Sequence, residues 1–474
     1  MLIRARGKFL KLISVCAFMS IILAVGHTTP SEAIDVDHAI KLALEANPEI
    51  GEAIANREAI EFERDQAKGL FLPKIDFEGR TGAQNRDSPF TRATGLDDNV
   101  LFRNEANIIA SQLLFDGWES RGELERQAAR VDGASHRIFE RSEFIALNVI
   151  RQYLEVGRLL TIVSSARENI SYHNRILSDM REGAGSGGIS ETDVQQAEER
   201  VSAANARLIE FTEELNSAKI RFFRLVGEKI GRYHSPRWIS ASLPPNLSAA
   251  LGTARQLNPI LKIINADIDA AYALRKKARS EFFPKVTLEG TARAGDDLDG
   301  VRGRETDLRA EVVVRWNLFK GGIDSANTQE QVRRIDEQRF KLHTAHREIE
   351  EAVRLSWERR VQQRRRLTRL EDQLTSANEL IDAYKEQFKV GRRSLLDLLD
   401  TQNTRFNTQV SVETARVALK FAEYRVLASA GILLTTLQII PPEQSNGYAR
   451  EAHHVPETPP AETMKRWQTS VVPE

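Results

Sequence analysis

Residues 285–294 read Lys-Val-Thr-Leu-Glu-Gly-Thr-Ala-Arg-Ala, and residues 308–318 read Leu-Arg-Ala-Glu-Val-Val-Val-Arg-Trp-Asn-Leu. In both stretches small or apolar residues alternate with mostly polar or charged ones, which predicts two β-strands with one apolar face. Each is about ten residues long, the length that a tilted membrane-spanning strand requires. A single hairpin of this kind is also compatible with a soluble antiparallel sheet that has one solvated face. The rest of the chain decides between the two interpretations.

Long stretches without proline contain these and the other strand signals. No proline lies in residues 90–235 or in residues 285–440, and an interior proline would break a helix. The pattern after the strand signals predicts helices whose bounds are 123–180, 191–225, 324–390 and 395–429. The third would be about 100 Å long at 1.5 Å per residue, which exceeds the size of a compact domain. Glycines interrupt the pattern twice, so we expect two long helical hairpins with tip turns at Gly187 and Gly391.

The chain contains the same series of sequence motifs twice. Residues 39–48 resemble residues 250–259 at an offset of 211, and residues 114–117 (Leu-Phe-Asp-Gly) resemble residues 318–321 (Leu-Phe-Lys-Gly) at an offset of 204. A deletion of seven residues between the strands of the second copy accounts for the change of offset. Motifs that keep one register over such distances indicate an internal duplication. The first copy should therefore have two strands of its own within residues 75–115.

The two ends of the chain predict a processed leader and an extension. Four basic residues precede an apolar run over residues 12–25, and Ser-Glu-Ala at 31–33 completes the pattern of a secretory signal peptide cleaved after Ala33. The only cysteine, Cys16, lies within this leader and lacks the preceding small residues of a lipoprotein site. The mature chain should therefore be unlipidated and without thiol catalysis, disulfides or cysteine zinc sites. After the signal peptide and the two repeats comes a proline-rich extension, which we expect to be loosely ordered or wrapped outside the helices. The bounds of these four segments are 1–33, 34–249, 250–440 and 441–474.

The charge balance and the hydropathy restrict the function. Lys and Arg number 67, and so do Asp and Glu, so no net charge draws the protein to nucleic acid or to an anionic surface. After residue 25 no apolar run reaches the ~20 residues of a membrane-spanning helix. The mature chain therefore either stays outside the membrane or crosses it as a β-barrel. Four strands cannot close a barrel, and an open strand edge cannot face lipid. Insertion would thus require several copies, and three would supply twelve strands.

Several motifs resemble those of a known family. Asn-Pro at 47–48 and 258–259, Leu-Phe-Asp-Gly at 114–117 and Leu-Leu-Asp-Leu-Leu-Asp-Thr-Gln-Asn at 395–403 resemble the TolC family of outer-membrane channels, over residues 34–438. The resemblance implies a mixed fold, a β-barrel plus a long α-helical barrel. It would be built as a TolC-like homotrimer with four strands and two long helical hairpins per chain. The resemblance also implies an outer-membrane location, with the helical barrel in the periplasm.

The resemblance further implies a passive transport function. Residues 390–400 look similar to the type I secretion branch, in which an inner-membrane ABC transporter and a periplasmic adaptor (membrane fusion) protein recruit the channel as an exit duct for a polypeptide. The same fold would serve a proton-driven (RND-type) multidrug efflux pump that exports small molecules, and this alternative stays open. A more distant alternative is a periplasmic coiled-coil scaffold that never enters the membrane. None of these is an enzyme, and no cofactor is expected.

The resemblance also implies that the duct closes at the helix tips that face the inner membrane. The positions that match the constricting aspartates of the family are Asp397 and Asp400. The positions that match its tip contacts are Arg393, Thr192 and Asp193. Asp397 and Asp400 are three residues apart on one helix face. Three copies would therefore bring six carboxylates into one ring, which would attract cations.

Helix capping is the alternative explanation for two of these aspartates. Asp193 and Asp397 each stand three residues after a serine, in the pattern of a capping box. Capping does not explain Asp400, which is therefore the stronger gate candidate. His343 and His346 are three residues apart on a predicted helix but lack the carboxylate pattern of a metal site, so no metal is expected.

Overall fold

The computed structural model describes residues 34–456. The predicted signal peptide lies outside the described residues, as do residues 457–474. The helices are, in chain order, α1 (Val36–Ala46), α2 (Pro48–Gly69), α3 (Pro89–Thr94), α4 (Glu119–Gly185), α5 (Glu191–Val226), α6 (Leu247–Leu257), α7 (Pro259–Arg279), α8 (Ile323–Lys389), α9 (Leu395–Ala430), α10 (Leu433–Leu437) and α11 (Ala449–Ala452). The strands are β1 (Lys74–Asn85), β2 (Val100–Phe115), β3 (Lys285–Asp296) and β4 (Arg304–Arg315). The order of two helices, a strand pair and two long helices therefore occurs in both halves.

An Asn-Pro pair begins the second helix of each half. The side chain of Asn47 accepts a hydrogen bond from the backbone N–H of Glu49 (2.9 Å), and Pro48 occupies the first helical position, where its missing N–H is not needed. Asn258 caps α7 in the same way, through the backbone N–H of Ile260 (3.0 Å). The helices α1, α2, α6 and α7 are absent from the sequence prediction, because that prediction treated proline only as a helix breaker.

The four long helices lie close to their predicted bounds. α4 and α8 have 67 residues each, and α5 and α9 have 36 each. α5 and α9 end at glycines in the left-handed region, Gly227 (φ 83°) and Gly431 (φ 76°), which is a common way to end a helix. A 67-residue helix is about 100 Å long. In residues 34–456 no helix combines the length and the apolarity that are needed to cross a bilayer.

The four strands form one antiparallel sheet in the order β1-β2-β3-β4, so β1 and β4 are its edges. The β1–β2 loop, residues 86–99, contains α3, whereas the β3–β4 loop is residues 297–303. This difference accounts for the seven-residue change of offset between the halves. After β2, Gly117 has φ +66°, and a Cβ there would lie 2.7 Å from the carbonyl oxygen of Ser280 and 2.8 Å from Cβ of Phe283. Only glycine permits this turn to pack so closely on the end of α7.

α4 lies at the centre of the chain. Its first part packs against α2 and α7, and its later part packs against α5 and α9. The main core lies where α4 meets α1, α5 and α9, and Tyr153 is fully buried there with its hydroxyl group 3.0 Å from the carbonyl oxygen of Ile34. α8 packs on α7 and α9 at one side of the chain.

Residues 441–456 pack on the first part of α4. The carboxylate of Asp132 accepts hydrogen bonds from the backbone N–H groups of Tyr448 and Ala449 (2.8 Å each) and from Nε of Arg450 (2.9 Å). The guanidinium of Arg450 also donates to the carboxylate of Asp269 in α7 (2.6 Å). Both carboxylates are buried. Because Arg450 bonds to one carboxylate in α4 and to one in α7, this part of the proline-rich extension ties the two helices together.

Candidate functional site

The turn between α4 and α5 forms the first helix tip. Gly187 has φ +77°, a conformation that glycine adopts without strain. The hydroxyl of Ser190 accepts a hydrogen bond from the backbone N–H of Asp193 (3.2 Å) and donates to the Asp193 carboxylate (2.8 Å). The Asp193 side chain is thus engaged at the start of its own helix. Thr192 stands beside it and faces the groove between the tips.

The turn between α8 and α9 forms the second tip, and Gly391 has φ +71° there. The backbone N–H of Asp397 donates to Oγ of Ser394 (3.1 Å), and the backbone N–H of Ser394 donates to the Asp397 carboxylate (3.4 Å). The two residues therefore form a capping box. The guanidinium of Arg393 lies 3.8 Å from the same carboxylate and 4.3 Å from the ring centre of Tyr384. Within one chain, Arg393 therefore contacts residues of the second tip, to which it belongs.

Asp400 makes a contact that joins the two tips. Its Oδ1 lies 3.1 Å from Nη2 of Arg200 in α5. The side chains are 57% and 33% exposed, so the pair stabilises the fold by only about 0.5 kcal/mol. Sequence reasoning missed Arg200, although the repeat contained the signal. Gln196 is the counterpart of Asp400 in the first copy, and Arg200 lies one helical turn beyond it.

The two tips enclose a groove and rest on a shared apolar cluster. The groove has a volume of about 300 Å³ and lies between the first turns of α5 and α9, beside Arg200. The apolar cluster joins all four long helices, so the two tips pack as one unit within a single chain. Its buried members are Ile176, Leu177, Met180, Val194, Ala197, Ile381, Leu395, Leu398 and Leu399.

The seam between α4 and α9 next to this cluster is polar. Gln402 donates to the side-chain oxygen of Asn169 (2.8 Å), and both residues are buried. His173, one turn from Asn169, is 4% exposed. Burial lowers the pKa of the His173 imidazole, and the nearby Arg200 guanidinium lowers it further. The imidazole is therefore neutral at neutral pH.

The sheet has an apolar face and a charged face. The strand register places Phe77 opposite Ile108, and Ala292 lies between Ile108 and Leu308 on the same face. The large apolar side chains of this face are exposed in the single chain, which is typical of a surface that contacts lipid or another protein. They are Ile75, Phe77, Phe102, Ile108, Leu288, Leu308, Val312 and Val314.

The opposite face carries paired charges. Arg293 contacts Glu105 on the neighbouring strand (2.6 Å), and Arg315 contacts Glu289 (3.0 Å). Strands with one apolar and one charged face are typical of a sheet that has lipid on one side and water on the other. The alternation predicted for residues 285–318 thus extends across all four strands.

The two histidines singled out in the sequence lie in α8. Burial lowers the pKa of His346, and the neighbouring His343 contributes to the lowering. In the part of the chain that the structure describes, no group of three or more His, Cys, Asp or Glu side chains is placed to hold a metal ion.

Comparison with known proteins gives the family. The family model described as "Outer membrane efflux protein" matches residues 39–228 and residues 250–431. The outer membrane efflux protein BepC of Brucella suis is 23% identical over 366 residues, which cover 77% of this chain and 78% of BepC. The alkaline protease secretion protein AprF of Pseudomonas aeruginosa is 24% identical over 408 residues, which cover 83% of each chain. A crystal structure of CusC has a TM-score of 0.74 at 15% identity and covers 87% of this chain and 95% of CusC, so the fold is shared. The chain therefore belongs to the outer membrane efflux protein family and is a protein of the outer membrane.

Proposed function

We propose that three copies of the chain form a passive exit duct through the outer membrane. The observation that carries this proposal is the sheet, which has an exposed apolar face, a charged face and two edges, β1 and β4. An unpaired edge cannot face lipid, because its backbone groups would lack hydrogen-bond partners. Joining β4 of one copy to β1 of the next satisfies both edges. Three copies give a closed barrel of twelve strands with its charged face towards the lumen.

The turns that follow β2 and β4 support a head-to-tail ring. Gly117 packs tightly against Ser280 and Phe283 of the same chain, whereas its counterpart Gly321 has nothing within 4 Å of a Cβ. In the proposed ring, the end of α2 from the next copy, which is the counterpart of the end of α7, would occupy the space beside Gly321. Such a contact is heterologous, and it forms a ring when the rotation closes.

An internal duplication explains why one chain supplies two equivalent units. The family model matches twice, and the order of helices and strands recurs in both halves. These findings support repeats at 34–249 and 250–440, followed by the extension. A ring of three chains would then have six related units around the duct, and the long helices would extend about 100 Å from the sheet into the periplasm.

The duct would act with an inner-membrane ABC transporter and a periplasmic adaptor, and would export a polypeptide. The sequence of residues 390–400 and the similarity to a protease secretion protein support this assignment. The similarity to BepC, which is described as an efflux protein, favours a second candidate, the outer-membrane component of a proton-driven multidrug pump. Identifying what accumulates in cells that lack the gene tests the choice. An accumulated polypeptide supports secretion, and increased sensitivity to small toxic molecules with normal secretion supports the drug pump.

The gate would lie at the helix tips. Asp397 and Asp400 would form the ring of carboxylates, with Arg393, Thr192 and Asp193 as tip contacts near the turns at Gly187 and Gly391. The bridge from Asp400 to Arg200 supports a role for Asp400 in holding the two hairpins together. We expect Asp400→Ala to weaken the block of the reconstituted pore by multivalent cations added at the helical end. Unchanged block in this variant and in Asp397→Ala would rule out the carboxylate ring.

Assembly is tested on the full-length protein. Outer-membrane fractions should contain an oligomer that dissociates to single chains on heating, and the purified protein should conduct ions across a planar bilayer without an energy source. A single-copy particle in detergent, or an absence of conductance, would overturn the proposed duct.

A further inference from the structure

A pocket lies where the sheet ends and the helices begin. It has a volume of about 290 Å³ and is formed by the turn at Gly117 and the last turns of α7. Three aromatic and three cationic side chains line it: Trp118, Tyr272, Phe283, Arg275, Lys276 and Arg279. None of them belongs to the helix tips, which lie at the other end of the long helices.

The pocket carries positive charge that the chain does not neutralise. Lys276 is paired with Glu125 (2.8 Å), but Arg275 and Arg279 have no ion-pair partner within residues 34–456, and the shielded Nε of Arg275 has no hydrogen-bond partner there. The carboxylates nearby already have partners, as in the pair of Glu119 with Lys285 (2.7 Å). Arg279 is exposed and Arg275 is partly buried. The shielded Nε of Arg275 lacks an acceptor, and a phosphate is well matched to guanidinium groups.

The aromatic side of the pocket continues the apolar face of the sheet. Phe115 pairs with Val286, which lies on that face. Trp118 packs edge-on against Phe115 and against Phe283, with ring centres 5.3 Å apart in both pairs. Trp118 is 50% exposed, and half-exposed tryptophan is typical of the boundary between membrane and water.

We propose that this pocket binds the headgroup phosphate of a membrane phospholipid, whose acyl chains lie along the apolar face of the sheet. The inference rests on the proposed insertion of the sheet in the membrane. Arg275 and Arg279 donate to the phosphate, and Trp118 and Phe283 contact the glycerol and the first methylenes. A free anion would use only the cationic half of the pocket, whereas a phospholipid uses both halves.

The first half of the chain provides a matched control. The counterpart of Arg279, at the offset of 211, is Lys68 at the end of α2. Lys68 is already paired with Asp65 (3.1 Å). The counterpart of Arg275 is Arg64, which is bonded to the same carboxylate and to the hydroxyl of Tyr448 (2.6 Å). Removing the charge of Lys68 should therefore not change lipid binding.

The experiment is native mass spectrometry of the full-length assembly in detergent with added phosphatidylglycerol. The double variant Arg275→Gln, Arg279→Gln should bind this lipid about tenfold more weakly than the unmodified protein, because two charge-assisted contacts are lost. Lys68→Gln should bind it normally. Diacylglycerol with the same acyl chains should bind the unmodified protein about tenfold more weakly than phosphatidylglycerol, because it lacks the phosphate.

Three results would overturn the lipid site. They are equal phosphatidylglycerol binding by the double variant, equal binding of diacylglycerol, and displacement of the lipid by soluble glycerol phosphate at the same concentration, which would indicate a site for free anions. The same spectra report the number of chains. An intact three-copy assembly with unchanged lipid binding in the variant would reject only this site, whereas a single chain would reject the proposed duct.

Discussion

The helices α4 and α8 occupy equivalent places in the two halves and have the same length of 67 residues, yet 34 residues of α4 are buried and only nine of α8. α4 packs between α2 and α7. Of these two helices, α8 packs on α7 only. Asp132 of α4 is 4% exposed and holds the C-terminal segment. Its counterpart in α8, Asp336, pairs with Arg333 near the surface (3.1 Å). In the proposed ring of three chains, a neighbouring copy would cover the exposed side of α8 and complete the packing of the second half.

The largest expected effect concerns Asp132, the buried one of these two equivalent aspartates. Asp132→Ala removes the acceptor for backbone N–H groups and leaves the charge of Arg450 with a single buried partner. We expect it to lower the free energy of unfolding by about 3 kcal/mol. Asp336→Ala should change that free energy by less than about 0.5 kcal/mol. Denaturation followed by circular dichroism measures both, and equal effects would contradict the asymmetry between α4 and α8.

The next prediction concerns the open turn of the second half. Gly321→Val should weaken assembly by about 2 kcal/mol per interface, because its side chain would occupy the space assigned to the next copy. Gly322→Ala is the control, since it also places a side chain at positive φ (85°) with nothing within 4 Å. The counterpart of Gly322 in the first half is Trp118, which has φ 69°, so this position tolerates a side chain at positive φ. Dissociation of the purified oligomer on dilution measures the effect, and normal assembly of Gly321→Val would argue against the head-to-tail ring.

A third prediction uses the buried carboxyl group of Glu143 in α4, whose counterpart in α8 is an arginine. Burial raises the pKa of Glu143 from 4.5 to about 7, although the backbone N–H groups of Leu434 and Leu433 oppose the shift. The folded protein therefore binds this proton more tightly than the unfolded chain does. The resulting stability is full below pH ~4.5 and is lost as the pH rises through about 7.

Relative to Glu143→Gln, the unmodified protein should lose on the order of 2 kcal/mol of stability between pH 5.5 and 7.5. Arg347, the counterpart in α8, provides the control, and Arg347→Gln should keep the pH dependence of the unmodified protein. Parallel stability curves for the unmodified protein and Glu143→Gln over this interval would contradict the assignment.

The smallest expected effect lies at the helix tips. Arg200→Gln should leave stability nearly unchanged but should free the Asp400 carboxylate, so that about twofold less multivalent cation blocks the pore. Arg207→Gln, which removes an equally charged residue paired within the same helix, should not change the block. Weaker block in Arg200→Gln would show that Arg200 does not neutralise Asp400 in the assembly.

The sequence predicted the parts of the fold that depend on local pattern. Alternation in residues 285–294 and the absence of proline in residues 285–440 were enough for the strands and the long helices. Arg200 was missed because helix periodicity contains no information about side chains 200 positions apart. Only an alignment of the two halves places Arg200 one turn from the counterpart of Asp400. Asp193 and Asp397 could be recognised as caps because capping acts within three residues. Their proposed role in a gate depends on contacts between chains, which a single sequence does not encode locally.

The unequal loops of the sheet affect the outer end of the molecule. The long β1–β2 loop packs on the short β3–β4 loop, where Arg86 contacts Asp299 (2.9 Å) and Leu298 is buried. In a ring of three chains, long and short loops would alternate around the rim. The helices beneath would approach sixfold symmetry, but the rim would have only threefold symmetry. An antibody or a bacteriophage that approaches the cell from outside would therefore meet three identical docking positions instead of six.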